Sequence, residues 1–223
     1  MAAGKGARKP GRRPLVFKGV ELRCGTRYEE EARASGHLLV AGIDEVGRGA
    51  LCGPVAAAAV VLGDGFDPLG LDDSKRLTAR QRERQAARIK AEARAVCIAF
   101  AEVEEIDRLN ILRATFLAMT RAVDGLGLRP DLVLVDALTV PGLGCKQQGI
   151  VKGDAQCASI AAASIVAKVA RDCIMRECDT RHPGYGLARN MGYASEDHLL
   201  ALRRLGPSAI HRRSFSGTQP WLF

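Results

Sequence analysis

The feature that most constrains this chain is a recurring pattern of apolar runs that stop on acids. Leu38 to Ile43 runs into Asp44-Glu45 (LLVAGIDE), Leu132 to Val135 into Asp136 (LVLVDA), and the shorter Gly149 to Lys152 stretch leads to Asp154 (GIVKGD). Runs of this length bounded by turn residues predict buried strands. Two more apolar stretches, Val55 to Leu62 and Ala95 to Val103, read as strands without a terminal acid. Between them lie helical stretches. Thr78 to Arg94 is charged, with Thr78 as N-cap. Glu104 to Leu126 is helical in two pieces, stopped at Gly125 and Gly127. Ala155 to Cys178 is long, with an Ala-rich first half, and Ser195 caps a helix reaching Leu205. Strands and helices that interleave in this way predict an α/β fold around one central sheet.

A carboxylate does not belong in a buried strand unless something offsets its desolvation. In open α/β sheets the functional crevice lies at strand ends. Taken singly, each acid also reads as a cap or a turn. Converging there, the four would repel one another, and a hard divalent cation, Mg²⁺ or Mn²⁺, would remove that repulsion. Neighbours on a regular strand point to opposite faces. Asp44 and Glu45 therefore share a site only if the strand ends or bends between them, which the glycines of Gly47-Arg48-Gly49 would permit. That segment is too short for a phosphate-binding loop. It is either an ordinary turn or a place where a polymer backbone approaches the main chain closely.

Composition closes off other classes. The 223 residues carry 33 Lys and Arg against 25 Asp and Glu, a net +8, and 47% are apolar, which fits one globular domain rather than a disordered chain. The longest clean apolar run, Val55 to Leu62, falls far short of the roughly 20 residues of a membrane span. The excess of base points to an anionic partner, although the segment 1–18 alone contributes Lys5, Arg8, Lys9, Arg12, Arg13 and Lys18 with no acid. Residues 1–36 read as a basic, flexible extension, 37–215 as the folded domain, and 216–223 as a tail. The seven cysteines form no CxxC pair and read as reduced core thiols. No apolar stretch follows the basic N-terminus, so a cytoplasmic location is expected.

The ordered series GIDEVGRGALCGPV, DSKRL, VDAL, KGD, SIAAASIVAKVARD, GYxSxxH and GPxxxHRRSF, spanning about His37 to Phe215, resembles bacterial ribonuclease HII. The resemblance implies an RNase H-like fold: a mixed five-stranded sheet flanked by helices, with a small helical C-terminal part. It implies cleavage of RNA in RNA–DNA hybrids and 5′ to ribonucleotides embedded in duplex DNA, leaving 3′-hydroxyl and 5′-phosphate ends, during replication and repair. It places catalysis and two Mg²⁺ or Mn²⁺ ions on Asp44, Glu45, Asp136 and Asp154. It gives recognition of the ribose 2′-OH to Gly47, Arg48, Gly49 and Tyr193, in keeping with the 2′-OH being what separates RNA from DNA at one nucleotide.

The chain departs from the family's pattern in two places. Asn190-Met191 stands where His-Lys is frequent, and Ser195 stands where Thr is commoner. Lys75, Lys152 and Lys168 are candidates for phosphate contacts or simple surface lysines. Asp172 reads as a salt-bridged helix acid. His198 and His211-Arg212 are read as packing residues or as contacts to nucleic acid. The tail Gln219-Pro220-Trp221-Leu222-Phe223 is similar to short peptides that dock replication sliding clamps, with Gln219, Leu222 and Phe223 as anchors, or it folds on its own protein. A monomer is expected. Two other functions are compatible with these motifs: an RNase H-like nuclease that cuts DNA, and a non-catalytic hybrid-binding protein.

Overall fold

The computed structural model describes residues 15–17, 20–22 and 24–219. Strands β1 (Leu15–Phe17) and β2 (Val20–Leu22) pair antiparallel, and helix α1 (Arg27–Ala34) follows. The central sheet is built from β3 (Val40–Val46), β4 (Val55–Val61), β5 (Ala95–Ala101), β6 (Leu132–Asp136) and β7 (Lys146–Ile150). Their spatial order is β5-β4-β3-β6-β7. Antiparallel pairing joins β3 to β4 and β4 to β5, while β3, β6 and β7 run parallel, so the sheet is mixed. Helix α2 (Ala79–Glu92) starts at a capping box between Thr78 and Gln81. The long helical stretch is broken at Asn110, whose side chain caps the second piece, giving α3 (Val103–Leu109) and α4 (Ile111–Asp124). Helix α5 is Ala158–Arg181, and α6 (Leu187–Asn190) and α7 (Glu196–Leu205) form the C-terminal part.

Alternation along the strands creates two cores. Ala41 and Ile43 of β3 pack with Ala57 and Ala59 of β4 against Ala114, Ala118 and Met119 of α4. On the other face Ala58 and Val60 meet Ala158, Ala161, Ala162 and Ile165 of α5, with Ala86 and Ile89 of α2. The small residues set the spacing. At Gly42 an added Cβ would sit 2.2 Å from the Ser159 carbonyl carbon, so α5 starts in contact with the β3 backbone. A third cluster, with Cys52, Met175, Tyr185, Leu187 and Leu202, joins the C-terminal helices to the end of α5.

Three boundaries differ from the sequence expectation. Residues 27–34, read as part of a flexible extension, form α1. Buried Glu29 there accepts the Ser159 N–H at 2.7 Å and so pins this helix to the start of α5. The acidic run of this helix hides it in a segment judged by its basic end; residues 1–14 of the proposed arm lie outside the described residues. The fifth strand is Lys146–Ile150 rather than 149–152, because it is a sheet edge and its polar Lys146, Gln147 and Gln148 give no apolar signal. The Gln147 side chain accepts from Val140 N–H at 2.7 Å and donates to Val140 C=O at 2.8 Å. Finally, Ser216–Thr218 is not free tail: Thr218 is buried and its hydroxyl donates to the Phe215 carbonyl at 2.8 Å.

No helix among the described residues is long and apolar enough to cross a membrane. A Gly42→Ala substitution meets backbone that cannot yield and is expected to cost about 3 kcal/mol of stability, measured by denaturant unfolding.

Candidate active site

The acids gather where β3 and β6 end. Ile43 pairs with Val135, so the residues that follow them, Asp44 and Asp136, lie side by side on neighbouring parallel strands. Strand β3 does not bend between Asp44 and Glu45 but continues to Val46. The two acids therefore leave opposite faces of the sheet. Asp44 faces α5, where the nearby Ser164 hydroxyl favours the charged form of its buried carboxyl. Glu45 is held from its own side by Arg48, at 3.1 Å. A sheet is one residue thick, and their charges still act on each other and on Asp136.

Asp154 is not at a strand end. It lies in a 3₁₀ turn, Gly153–Ala155, entered through Lys152 in the left-handed conformation (φ 57°). The same turn brings the Gly153 N–H to Asp136 Oδ1 at 2.7 Å.

Electrostatics identify what the site lacks. Burial, then Glu45, push the Asp44 carboxyl well above the usual carboxylate range. Burial raises Glu45 against the pull of Arg48, and burial raises Asp136 against the Gly153 N–H, with Asp154 adding to the rise. The cations at hand are Arg48 on Glu45 and Lys75, whose Nζ is 3.6 Å from Asp154 and 3.9 Å from Asp73. Asp44, Asp136 and Asp154, with Glu45 on the other face close enough to act on Asp44 and Asp136, make an all-oxygen donor set with two peripheral cations, short of positive charge. That is the chemistry of a hard divalent-cation site, and these four side chains could hold such an ion.

The other expected residues separate into groups. Gly47 takes φ 94°, and an added Cβ would lie 2.1 Å from Arg171 Nε. Gly49 is exposed, with open space on its Cα. The Leu51 N–H donates to the Gly192 carbonyl at 2.7 Å, which ties this loop to the segment bearing Tyr193. The half-exposed Tyr193 ring lies 5.8 Å from Lys168 Nζ and 5.5 Å from the Arg171 guanidinium. Lys168 is engaged by Asp172 at 2.7 Å, and Arg82 also reaches Asp172, which makes Asp172 a salt-bridged helix acid. Lys75 is exposed at the edge of the acids, and Lys152 is exposed on its turn. Of the tail anchors, Gln219 is described, and Leu222 and Phe223 lie outside the described residues.

His198 and His211 are buried, so packing rather than nucleic-acid contact accounts for them, and Arg212 is buried beside them, out of direct reach of nucleic acid. His198 Nδ1 meets the Tyr193 carbonyl at 2.9 Å, the two Nε2 atoms are 3.1 Å apart, and His211 Nδ1 accepts the Ser208 N–H at 3.0 Å. This chain is satisfied by two neutral rings, with the His211 Nε2–H donating to His198. Cys52 Sγ and a nitrogen of each ring lie within 4.8 Å of one another, but the ring nitrogens are already taken.

Sequence reasoning missed Ser164, Ser74 and Asp73. The hydroxyls of Ser74 and Ser164 are 2.9 Å apart and join the Asp-Ser-Lys loop to α5 beside Asp44. Ser164, a hydroxyl inside an Ala-rich buried helix stretch, was the available signal.

The family model of ribonuclease HII matches residues 41–218, which takes in all four acids, both loops and the C-terminal helices. The chain belongs to the ribonuclease HII family. A ribonuclease HII of Cereibacter sphaeroides is 60% identical over 198 residues, covering 88% of this chain and 93% of that one. One of Myxococcus xanthus is 53% identical over 200 residues, 89% of this chain and 68% of that one. Among solved structures, ribonuclease H2 of Pyrococcus horikoshii superposes with a TM-score of 0.68 at 25% identity, covering 81% of this chain and 95% of that one. Ribonuclease HII of Archaeoglobus fulgidus, solved in complex with PCNA, does so with a TM-score of 0.67 at 26% identity, covering 78% and 93%. The fold is RNase H-like. As a ribonuclease HII, the chain is a ribonuclease H, a hydrolase that cuts within the RNA of RNA–DNA hybrids.

Two outcomes follow from this geometry. Asp44→Asn removes one ionisable carboxyl from a crowded, buried group. The metal-free protein should gain about 1 kcal/mol, seen as a higher Tm in EDTA, and added Mn²⁺ should raise the Tm of the wild type but not of the variant. Burial, and then neighbouring His198, lower His211 from 6.5 to about 4. Between those values the unfolded chain binds a proton that the folded one does not, so stability falls as pH drops from 6.5 towards 4. The stability advantage of wild type over His211→Gln should therefore shrink by about 2 kcal/mol between pH 7.5 and pH 5, measured by urea unfolding at each pH.

Proposed function

We propose that this ribonuclease H also nicks 5′ to single ribonucleotides embedded in duplex DNA, leaving 3′-hydroxyl and 5′-phosphate ends, and serves ribonucleotide and primer removal in the cytoplasm as a monomer. One observation carries the reading. Arg48 holds Glu45 through its side chain while its own peptide forms the centre of Gly47-Arg48-Gly49. A segment able to read one sugar through its backbone thus sits three residues from the acids that would cut beside it. Tyr193, tied to this loop through Gly192, supplies a ring face for the same sugar. A DNA-only nuclease has no use for such a reader.

In this proposal Asp44, Glu45, Asp136 and Asp154 hold two divalent ions, Mn²⁺ or Mg²⁺. Bound there, the ions would activate a water and stabilise the leaving 3′-oxygen. Use of metal is supported by the donor set, and a ribonuclease HIII of the same fold has been solved with Mn²⁺. The chain's own residues do the positioning. Arg48 favours the charged form of Glu45 and places it, and the Gly153 N–H fixes one Asp136 oxygen. Lys75, exposed beside Asp154, is the lysine best placed to meet a substrate phosphate; Lys152 is a weaker candidate, and Lys168 serves Asp172.

For the tail, a partner is suggested by the Archaeoglobus protein's complex with PCNA. We propose that Gln219, Leu222 and Phe223 anchor a replication sliding clamp. Deleting residues 219–223 should abolish binding to a bacterial replication sliding clamp in a pull-down with purified proteins and leave cleavage of free duplex unchanged.

The test of the main reading is a DNA duplex carrying one ribonucleotide, incubated with Mg²⁺, Mn²⁺ or EDTA beside an all-DNA control. A metal-dependent nick 5′ to the ribonucleotide and an intact control are expected. Asp136→Asn should lower the rate by on the order of 10³-fold and Tyr193→Ala by about 10- to 100-fold. Cleavage of the hybrid without any nick at the single ribonucleotide would sink the finer claim.

A further inference from the structure

Two of the largest fully buried side chains in the molecule are arginines, Arg171 on α5 and Arg212 after α7. Among the described residues neither forms an ion pair with a carboxylate. Their donors end on main-chain carbonyls instead. Arg212 Nε and Nη2 reach the Gly53 carbonyl at 3.0 and 2.8 Å, and its Nη1 reaches the Arg48 carbonyl at 2.9 Å. Arg171 donates to the carbonyls of Pro54 (2.9 Å), Cys52 (3.1 Å) and Met191 (2.9 Å). Every acceptor belongs to the loop of residues 47–54 or to the stretch just before Gly192-Tyr193.

Packing does not explain this choice. Burying a cation without an anion is expensive, and an apolar side chain of the same volume often does better. Burial, with Arg171 adding repulsion, lowers Arg212 to about 9. A guanidinium can do what an apolar chain cannot: its rigid fork fixes the direction of carbonyl groups. In a trans peptide the C=O and the following N–H point opposite ways within one plane. With the Arg48 carbonyl drawn inward to Arg212, the Gly49 N–H is turned outward. Among the described residues that N–H meets no acceptor, and Gly49 opens on free space.

We propose that Arg212 is a positioning residue for ribose recognition: it locks the Arg48–Gly49 peptide so that the Gly49 N–H faces the substrate's 2′-oxygen before the substrate arrives. Arg171 complements it by gripping carbonyls of both loops and so fixing the peptide relative to Tyr193. The proposal rests on the reading of Gly47-Arg48-Gly49 as the 2′-OH reader, and its test separates the two.

The test uses the full chain carrying Asp136→Asn, so that binding is read without cleavage. Its Kd is measured by fluorescence anisotropy, in Ca²⁺, for a duplex with one ribonucleotide and for the all-DNA duplex of the same sequence. The parent should prefer the ribonucleotide. Adding Arg212→Lys, which keeps the charge and loses the fork, should cut that preference by about tenfold and leave the all-DNA Kd unchanged. Arg212→Met, which fills the space without donors or charge, should do the same. A folded variant that keeps the parent's preference overturns the proposal, as does equal weakening on both duplexes. If neither variant folds, Arg212 serves the fold and the proposal also falls. A parent with no preference overturns the 2′-OH reading itself.

Discussion

Close contact between α5 and β3 organises the rest of this enzyme. It is possible only because Gly42 has no side chain where Ser159 passes. Once α5 lies there, its residues fall at fixed heights along the sheet. Ser164 reaches Asp44 and the Asp-Ser-Lys loop. Arg171, seven residues later and so on the same face about 10 Å further along, reaches the carbonyls of the Gly-Arg-Gly loop and of Met191. One helix thus sets the distance between the acids and the loop that would read the sugar.

Charge is distributed unusually around that helix. The acids crowd together with too few cations, while two buried arginines sit without acids. Had the two sets been adjacent they would have neutralised each other, and neither would be free for a ligand. Kept apart, the anions stay available to metal and the guanidiniums to the main chain. Dipoles are the close partners of Asp136, a glycine N–H, and of the arginines, peptide carbonyls, while Arg48 and Lys75 stand beside Glu45 and Asp154 at the rim. Dipoles orient a charge without cancelling it.

Much of this was legible in the sequence. Apolar runs located β3, β4, β5 and β6, and the acids that end β3 and β6 stood out because a carboxylate after a buried strand is costly. Thr78 and Ser195 marked their helix starts through their side-chain oxygens. Other features left no local signal. Strand β7 is polar because it is an edge, so Asp154 was read as a strand end when it belongs to a 3₁₀ turn. The split between the faces taken by Asp44 and Glu45 depends on where β3 stops, and it stops at Val46, two residues later than a bend between the acids required. Arg171 and Arg212 look like any surface arginine until burial is known, since the carbonyls they hold are as much as 164 residues away.

The outer strand also bears on how the molecule behaves in company. An open strand edge invites pairing from another chain, and proteins blunt such edges with polar side chains or local cover. Here Lys146 and Gln148 are exposed and polar on the outer strand, and the Gln147 amide binds both polar groups of Val140. The outer strand thereby holds down the connection that leads into it, and it offers a passing chain a polar edge where an apolar one would invite pairing.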